Sequence, residues 1–249
     1  MKYYVSLFTT FCLAISGAFA QDDYTKSLSG IDWVKIESKA TIELKTHSSK
    51  QLLIKRRAKR PERAAGLRLV GSGGTDNTDV GFSVVQDGSN LIVKNLRKSE
   101  KAIIYLPATQ NIAVKTTWNE DVTITGFSEE IEVDAKLNGD IKIVNVTGPV
   151  TANALNGAIE VIFTKVKQDS PTSIYTTNGV VDITMPSNTP ATLSLGTVNG
   201  AVYTDFDLQR PKKDGLTAIS SQNIKGSINN GGVAIKLKST NGNIYLRKQ

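Results

Sequence analysis

The side chains with catalytic potential are carboxylates. Asp121, Glu132, Asp134, Asp140, Glu160, Asp182 and Asp205 occupy alternating positions within short aliphatic runs in the second half of the chain. A two-residue period turns them away from any core those runs form. If the runs stack, some of these acids align on one face. Clustered carboxylates of that kind are the acid, base or nucleophile of glycosidases, and lyases add a basic Lys or Arg. Here the acids alternate with Lys136, Lys142 and Lys165, as on an ordinary solvated face, and aromatic residues make up only 6% of the chain. A sugar-stacking cleft needs more of them. A carbohydrate-active β-helix enzyme, lyase or hydrolase, is therefore the alternative reading and not the first.

Other catalytic chemistry is poorly supplied. Nucleophilic catalysis needs a positioned base, most often histidine, and His47 is the sole histidine, in the strand-to-turn stretch Lys45-Thr46-His47-Ser48-Ser49. It reads as a solvated surface residue. Gly71-Ser72-Gly73 lacks the Gly-x-Ser-x-Gly pattern of a nucleophile elbow, and one histidine cannot make a His-based zinc site. Gly73-Gly74-Thr75-Asp76 is reminiscent of secreted calcium-binding repeats. Those need tandem nonapeptides, whereas here the motif occurs once, and Asp76-Asn77-Thr78-Asp79 lacks EF-hand spacing. The segment Gly71 to Asp79 reads as a flexible loop. No cofactor or metal is expected, and the protein reads as a non-enzyme.

Charge gives the sharper binding candidate. Between Lys50 and Arg68 lie Lys50, Lys55, Arg56, Arg57, Lys59, Arg60, Arg63 and Arg68 against Glu62 alone, a local +7 that equals the net charge of the whole chain. The remainder is neutral, so the basic character belongs to one segment. Lys55, Arg56, Arg57, Lys59, Arg60 and Arg63 form the candidate site for an anionic partner. Arginine forks suit phosphate and carboxylate, so the partner classes are an anionic glycan, lipopolysaccharide or an envelope protein. Nucleic acid is disfavoured because the segment has no interleaved aromatics. Charge that guards a sheet edge is the plain alternative.

The N-terminus sets the expected compartment. Lys2, an apolar stretch from Tyr3 to Ile15 and the small-x-small sequence Ala18-Phe19-Ala20 read as a secretory signal peptide over residues 1–20. Cys12, the only cysteine, falls inside it. The exported chain then carries no thiol and no disulfide. After residue 20 no apolar run approaches the roughly 20 residues of a membrane helix. The expected location is periplasm, outer surface or medium.

The elements that must position these groups are short strands. Asn138-Gly139 precedes Ile141 and Ile143, and the phrase recurs at Asn156-Gly157, Asn178-Gly179, Asn199-Gly200, Asn230-Gly231 and Asn241-Gly242, each followed by alternating aliphatics. The Asn positions are separated by 18, 22, 21, 31 and 11 residues. Asn119-Glu120 is a degenerate copy, with glutamate in the glycine slot. A second strand type follows Gly126 and Gly148. A period near 20 marks a stacked array, and Asn-Gly suits its corners because both residues tolerate positive φ. A string of hairpins is the rival, since Asn-Gly also makes type I′ turns. The recurrence at about 20 favours rungs. The long interval from Asn199 to Asn230 holds a polar excursion, Asp205 to Gly215, and Arg247-Lys248 is expected to guard the open edge of a last rung.

The repeat from Asn111 to Lys248, with Leu137-Asn138-Gly139-Asp140-Ile141, Thr177-Asn178-Gly179-Val180-Val181-Asp182-Ile183, Val198-Asn199-Gly200-Ala201-Val202 and Ser239-Thr240-Asn241-Gly242-Asn243-Ile244-Tyr245-Leu246, resembles the exported, adhesin-like bacterial family of β-strand-repeat proteins. Ile31 to Ile54 more faintly resembles the head of related adhesins. The resemblance implies a β-solenoid and surface interaction, and it carries no catalytic residue over. The expected organisation is therefore all-β: a parallel β-helix or solenoid over 108–249, preceded by a β-rich segment with the basic patch over 21–107. The expected function is a non-enzymatic, adhesin-like binding module of the cell envelope, with a passive envelope scaffold as a further alternative.

Overall fold

The computed structural model describes residues 23–55, 61–98, 100–210 and 223–249. The expected signal peptide lies outside the described residues. Two ten-stranded sheets face each other across one aliphatic core. Two strands in each sheet are antiparallel caps, and the rest are parallel. The parallel strands form eight rungs, each with one strand per sheet. This is the parallel β-solenoid expected from the repeats.

In spatial order the first rung pairs Asn90–Asn95 with Ala102–Pro107, and the second Trp33–Ser38 with Ile42–His47. The third to sixth follow the chain: Asn111–Thr116 with Val122–Thr125, Ile131–Asn138 with Ile141–Val146, Val150–Asn156 with Ile159–Phe163, and Thr172–Asn178 with Val181–Met185. The seventh pairs Val233–Asn241 with Ile244–Lys248, and the eighth Ala191–Asn199 with Val202–Thr204.

Alternation within each strand feeds the core. One inward row reads Leu91, Val34, Ile112, Ile131, Val150, Thr172, Ile235 and Leu193 from end to end of the stack. Opposite it run Ala102, Ile42, Val122, Ile141, Ile159, Val181, Ile244 and Val202. Parallel pairing sets each residue on its counterpart about 4.8 Å away, so each row fills with branched aliphatics apart from Thr172 and Ala102. The row nearest the Asn corner instead carries small or hydroxyl residues: Ser38, Thr116, Ala135, Ala154, Thr176, Ser239 and Thr197.

That corner explains the repeated Asn-Gly. Asn138 donates its side-chain N–H to Asn119 Oδ1 at 2.7 Å, Asn156 to Asn138 at 2.8 Å, Asn178 to Asn156 at 2.7 Å, Asn241 to Asn178 at 2.6 Å, and Asn199 to Asn241 at 2.7 Å. One amide ladder thus runs through the third to eighth rungs. Glycine follows because the backbones touch there. A Cβ on Gly157 would overlap the Gly139 carbonyl oxygen, one on Gly179 that of Gly157, one on Gly242 that of Gly179, and one on Gly200 that of Gly242. The same carbonyls accept hydroxyls from the next rung: Thr176 Oγ1 donates to Gly157 O at 3.0 Å, Ser239 Oγ to Gly179 O at 2.9 Å, and Thr197 Oγ1 to Gly242 O at 2.7 Å. Close approach makes glycine obligatory at all of these corners; the positive φ expected from sequence is found at Gly139 (145°) and Gly242 (158°) and not at Gly157, Gly179 or Gly200. Glu120 holds the glycine slot of the third rung with its side chain turned to Thr41 of the second, whose hydroxyl donates to Oε2 at 2.9 Å, and it is Gly139 above that must lack a Cβ to clear the Glu120 carbonyl.

Three expectations are corrected. Asn230-Gly231 is no rung corner: with Asn229 at φ 48°, Asn230 at 69° and Gly231 at 79°, it is the left-handed turn between the antiparallel cap Ile224–Ile228 and Val233–Asn241. The next corner after Asn199 in sequence is therefore Asn241, 42 residues on, and the interval holds the antiparallel cap. Spatial order also departs from chain order. Val233–Lys248 slots between the sixth and eighth rungs, and Trp33–His47 slots between the first and third. Arg247-Lys248 accordingly guards no open edge. Arg247 grips Asp182 of the sixth rung through two bonds of 2.8 and 2.9 Å, and the Lys248 N–H donates to Asp205 of the eighth at 2.9 Å.

Two outcomes test this architecture. Gly179→Ala should cost about 2–3 kcal/mol by overpacking, although it removes no contact, whereas Asn156→Ala, which breaks two exposed ladder bonds, should cost only about 1 kcal/mol. Urea unfolding of both variants measures the contrast. Deleting Val233–Gln249 removes an interior rung, so amides in Thr172–Asn178 and Ala191–Asn199 should both lose hydrogen-exchange protection. If Ala191–Asn199 alone loses it, the interior placement is wrong.

Candidate functional site

The basic segment leaves the stack at its capped end. Tyr24–Ser27 and Gln51–Ile54 form an antiparallel layer on Ala102–Pro107 of the first rung. Lys55 directly follows, and its Nζ meets Asp23 Oδ2 at 2.6 Å, so that the hydrogen bond with Asp23 holds the lysine pKa above its ordinary value. Lys55 is thus engaged in tying the layer's two strands together. Arg63 lies exposed in a single 3-10 turn, Glu62–Ala64. Arg56, Arg57, Lys59 and Arg60 lie outside the described residues.

The outward acids are mostly engaged with neighbouring rungs. Asp121 Oδ1 accepts the Asp140 N–H at 2.9 Å, and Asp140 Oδ1 accepts the Ala158 N–H at 2.7 Å, each supporting the corner above it. Lys142 and Glu160 pair at 2.6 Å across two rungs. Asp182 and Asp205 are taken by Arg247 and the Lys248 backbone. Lys136 lies 3.7 Å from Asp134. Glu132 and Asp134, with Lys35, Lys115, Thr151 and Asn153, rim a shallow depression of about 450 Å3 floored by Ala113. The depression exists because Ala113 is small between Lys35 and Glu132 in register. It offers mixed charge and no aromatic platform.

Elsewhere, Glu43 bridges Lys101 at 2.8 Å and Lys45 at 2.9 Å, and the hydrogen bonds from Lys101 and then Lys45 hold its carboxyl below the usual carboxylate range. His47 donates from Nε2 to Gln51 O at 2.7 Å and meets Tyr105 edge-on, with ring centroids 6.3 Å apart, so it braces the turn into Gln51–Ile54. Among the described residues no group of three or more His, Cys, Asp or Glu could hold a metal ion, and no helix is long and apolar enough to cross a membrane.

The segment expected to be a flexible loop is organised by one carboxylate. Asp76 is buried, and its oxygens accept the Thr78 N–H at 2.9 Å, the Thr78 hydroxyl at 2.8 Å and the Gly81 N–H at 3.0 Å. Val70–Gly71 and Gly74–Thr75 pair as a small hairpin before it. Glycine content suggested mobility, but a buried acceptor with three donors fixes the turn.

One surface escaped the sequence reading. Trp118, Leu137 and Leu155 immediately precede Asn119, Asn138 and Asn156 on successive rungs, and all are exposed, at 56%, 42% and 42%. Their shared offset from the Asn ladder was the available signal.

Comparison with known proteins places the chain. Residues 81–247 match the family model described as Toastrack DUF4097. A crystal structure described as "a putative cell adhesion protein from Clostridium sporogenes ATCC 15579" is similar at 10% identity, over 92% of this chain and 99% of that one, with a TM-score of 0.44. One described as "a putative adhesin" from Bacteroides fragilis NCTC 9343 is similar at 14% identity, over 92% and 98%, with a TM-score of 0.39. No curated protein matches. With the family model spanning well over half of its length and the two-sheet stack in place, the chain belongs to the Toastrack DUF4097 family.

Proposed function

We propose that this chain is a non-enzymatic, exported β-solenoid that acts as an adhesin-like surface-interaction module of the bacterial cell envelope. The observation that carries this reading is the segregation of charge. Most outward acids of the rod are engaged with adjacent rungs, whereas the whole net charge of +7 is matched by the segment from Lys50 to Arg68. Arg56, Arg57, Lys59, Arg60 and Arg63 supply attachment to an anionic glycan, lipopolysaccharide or an envelope protein, beside Lys55, whose ammonium is held by Asp23. A stack with paired faces and one concentrated basic segment suits electrostatic capture better than acid–base chemistry, which needs uncommitted carboxylates at defined separation.

Chromatography on immobilised dextran sulfate tests the attachment. The quadruple variant Arg56→Gln, Arg57→Gln, Arg60→Gln, Arg63→Gln should elute at markedly lower salt than the parent, because each removed contact lowers the salt dependence. Identical elution would remove the segment from the reading. Fractionation of native cells that express a tagged chain should recover it outside the cytoplasm, and a cytoplasmic pool alone would contradict export.

A further inference from the structure

The exposed row beside the Asn ladder lies next to a second basic surface, separate from the Lys50 to Arg68 segment. Trp118, Leu137 and Leu155 hold the position before the ladder asparagine on the third, fourth and fifth rungs, whose backbones repeat at about 4.8 Å, so they form a row roughly 10 Å long, with a register shift between Ala135 and Asn138 along it. Large apolar side chains in such a line, two-fifths to more than half exposed, are not the scattered surface leucines of an ordinary monomer.

Lysines surround the Trp118 end. Lys39 and Lys98 share with Trp118 a shallow depression of about 280 Å3. They also share a neighbouring hollow of about 500 Å3 with Lys94 and Lys115. Glu37 pairs with Lys94 at 3.4 Å and Asp134 faces Lys136 at 3.7 Å, while Glu120, whose Oε2 accepts the Thr41 hydroxyl at 2.9 Å, keeps its charge, so Lys39, Lys94, Lys98 and Lys115 outnumber Glu37 and Glu120 around the two hollows. Lys39 reaches only the Ser72 hydroxyl, at 3.0 Å. Lys39, Lys98 and Lys115 have no carboxylate within ion-pair distance among the described residues.

We infer that this corner docks on an anionic phospholipid surface, with Trp118, Leu137 and Leu155 entering the headgroup–acyl boundary and Lys39, Lys98 and Lys115 engaging lipid phosphates. Charge complementarity selects this occupant: unpaired lysines flank an apolar ridge, the combination that holds interfacial proteins to anionic membranes. Tryptophan favours that boundary because its ring is apolar and its N–H is not. Lysine ammonium groups suit phosphates presented at varied positions, where the fixed fork of arginine has no advantage. The inference goes beyond the glycan-binding reading and uses none of the residues assigned to it.

Vesicle co-sedimentation tests it, with phosphatidylcholine vesicles that contain either no or about 30 mol% phosphatidylglycerol. All variants keep the same N-terminus, so any contribution of residues 1–20 cancels. Trp118→Ser, Leu137→Ser, Leu155→Ser should lower partitioning onto the anionic vesicles by about tenfold or more. Lys39→Gln, Lys98→Gln, Lys115→Gln should do the same and flatten the salt dependence. The quadruple arginine variant of the basic segment should retain the tryptophan-dependent part, which separates failure of this inference from failure of the glycan reading. In a Trp33→Phe background, Trp118 emission should shift to the blue on anionic vesicles and be quenched by brominated acyl chains. Three results would overturn the inference: a ridge variant with parental thermal stability that partitions like the parent, equal binding to neutral vesicles, or sedimentation velocity showing a dimer that Leu137→Ser, Leu155→Ser dissociates, which would assign the ridge to a second copy of the chain.

Discussion

Everything in this fold depends on how closely two backbones approach at the corner where the chain passes from one sheet to the other. The carbonyl of each corner glycine lies where the next glycine's Cβ would be, from Gly139 through Gly157 and Gly179 to Gly242 and Gly200. The approach allows the Asn amides to reach each other and the Thr and Ser hydroxyls beneath to reach the glycine carbonyls. An exposed amide bond is worth about 1 kcal/mol or less, while each fully buried aliphatic side chain contributes about 1.5–3 kcal/mol. The aliphatic rows therefore hold the stack together, and the ladder fixes register. A one-residue slip would misalign the amides, place side chains against carbonyls and turn every inward aliphatic outward.

Register fixed in this way permits a chain order that is not the spatial order. The rungs Ala191–Thr204 and Val233–Lys248 have near-equivalent inward residues, and both carry the corner asparagine. The interior place goes to Val233–Lys248. Its Arg247 finds Asp182 on one side, and its Lys248 N–H finds Asp205 on the other. Tyr245 stacks on Tyr203 with centroids 5.2 Å apart. The eighth rung, whose second strand is only Val202–Thr204, is left to carry the antiparallel cap Ile224–Ile228. At the opposite end Trp33–His47 is similarly enclosed, and antiparallel strands again cover the outermost rung. The sheets thus end on antiparallel caps or short strands, which limits edge pairing.

The sequence made the solenoid and most corner positions legible, because periodic aliphatics and Asn-Gly encode them locally, but it left two or three strands per rung open. It did not reveal rung order, since Asn199 and Asn241 present the same phrase and only long-range partners separate them. Asn230-Gly231 misled for a related reason. The dipeptide serves left-handed turns and close-packed corners equally well, and the choice is made by what lies above and below. Asp76 was read through its glycine neighbours, whereas its burial is a tertiary fact. Lys55 was legible as a charge, but its commitment to Asp23 depends on the antiparallel layer that brings Tyr24–Ser27 beside Gln51–Ile54.

A stacked fold also constrains where interaction can arise. Inward positions are spent on the core and corner positions on the ladder, so only outward rows can vary. Because every rung repeats the same offsets, a favourable residue at one outward position becomes a line when its neighbours share the type. Acids in such lines find lysines or backbone amides one rung away, as Glu160 finds Lys142 and Asp140 finds the Ala158 N–H. Apolar residues in such lines have no way to satisfy themselves within the rod. Each is flanked along the stack by a residue like itself and outward by water. Trp118, Leu137 and Leu155 therefore make a surface whose exposure is built into the repeat.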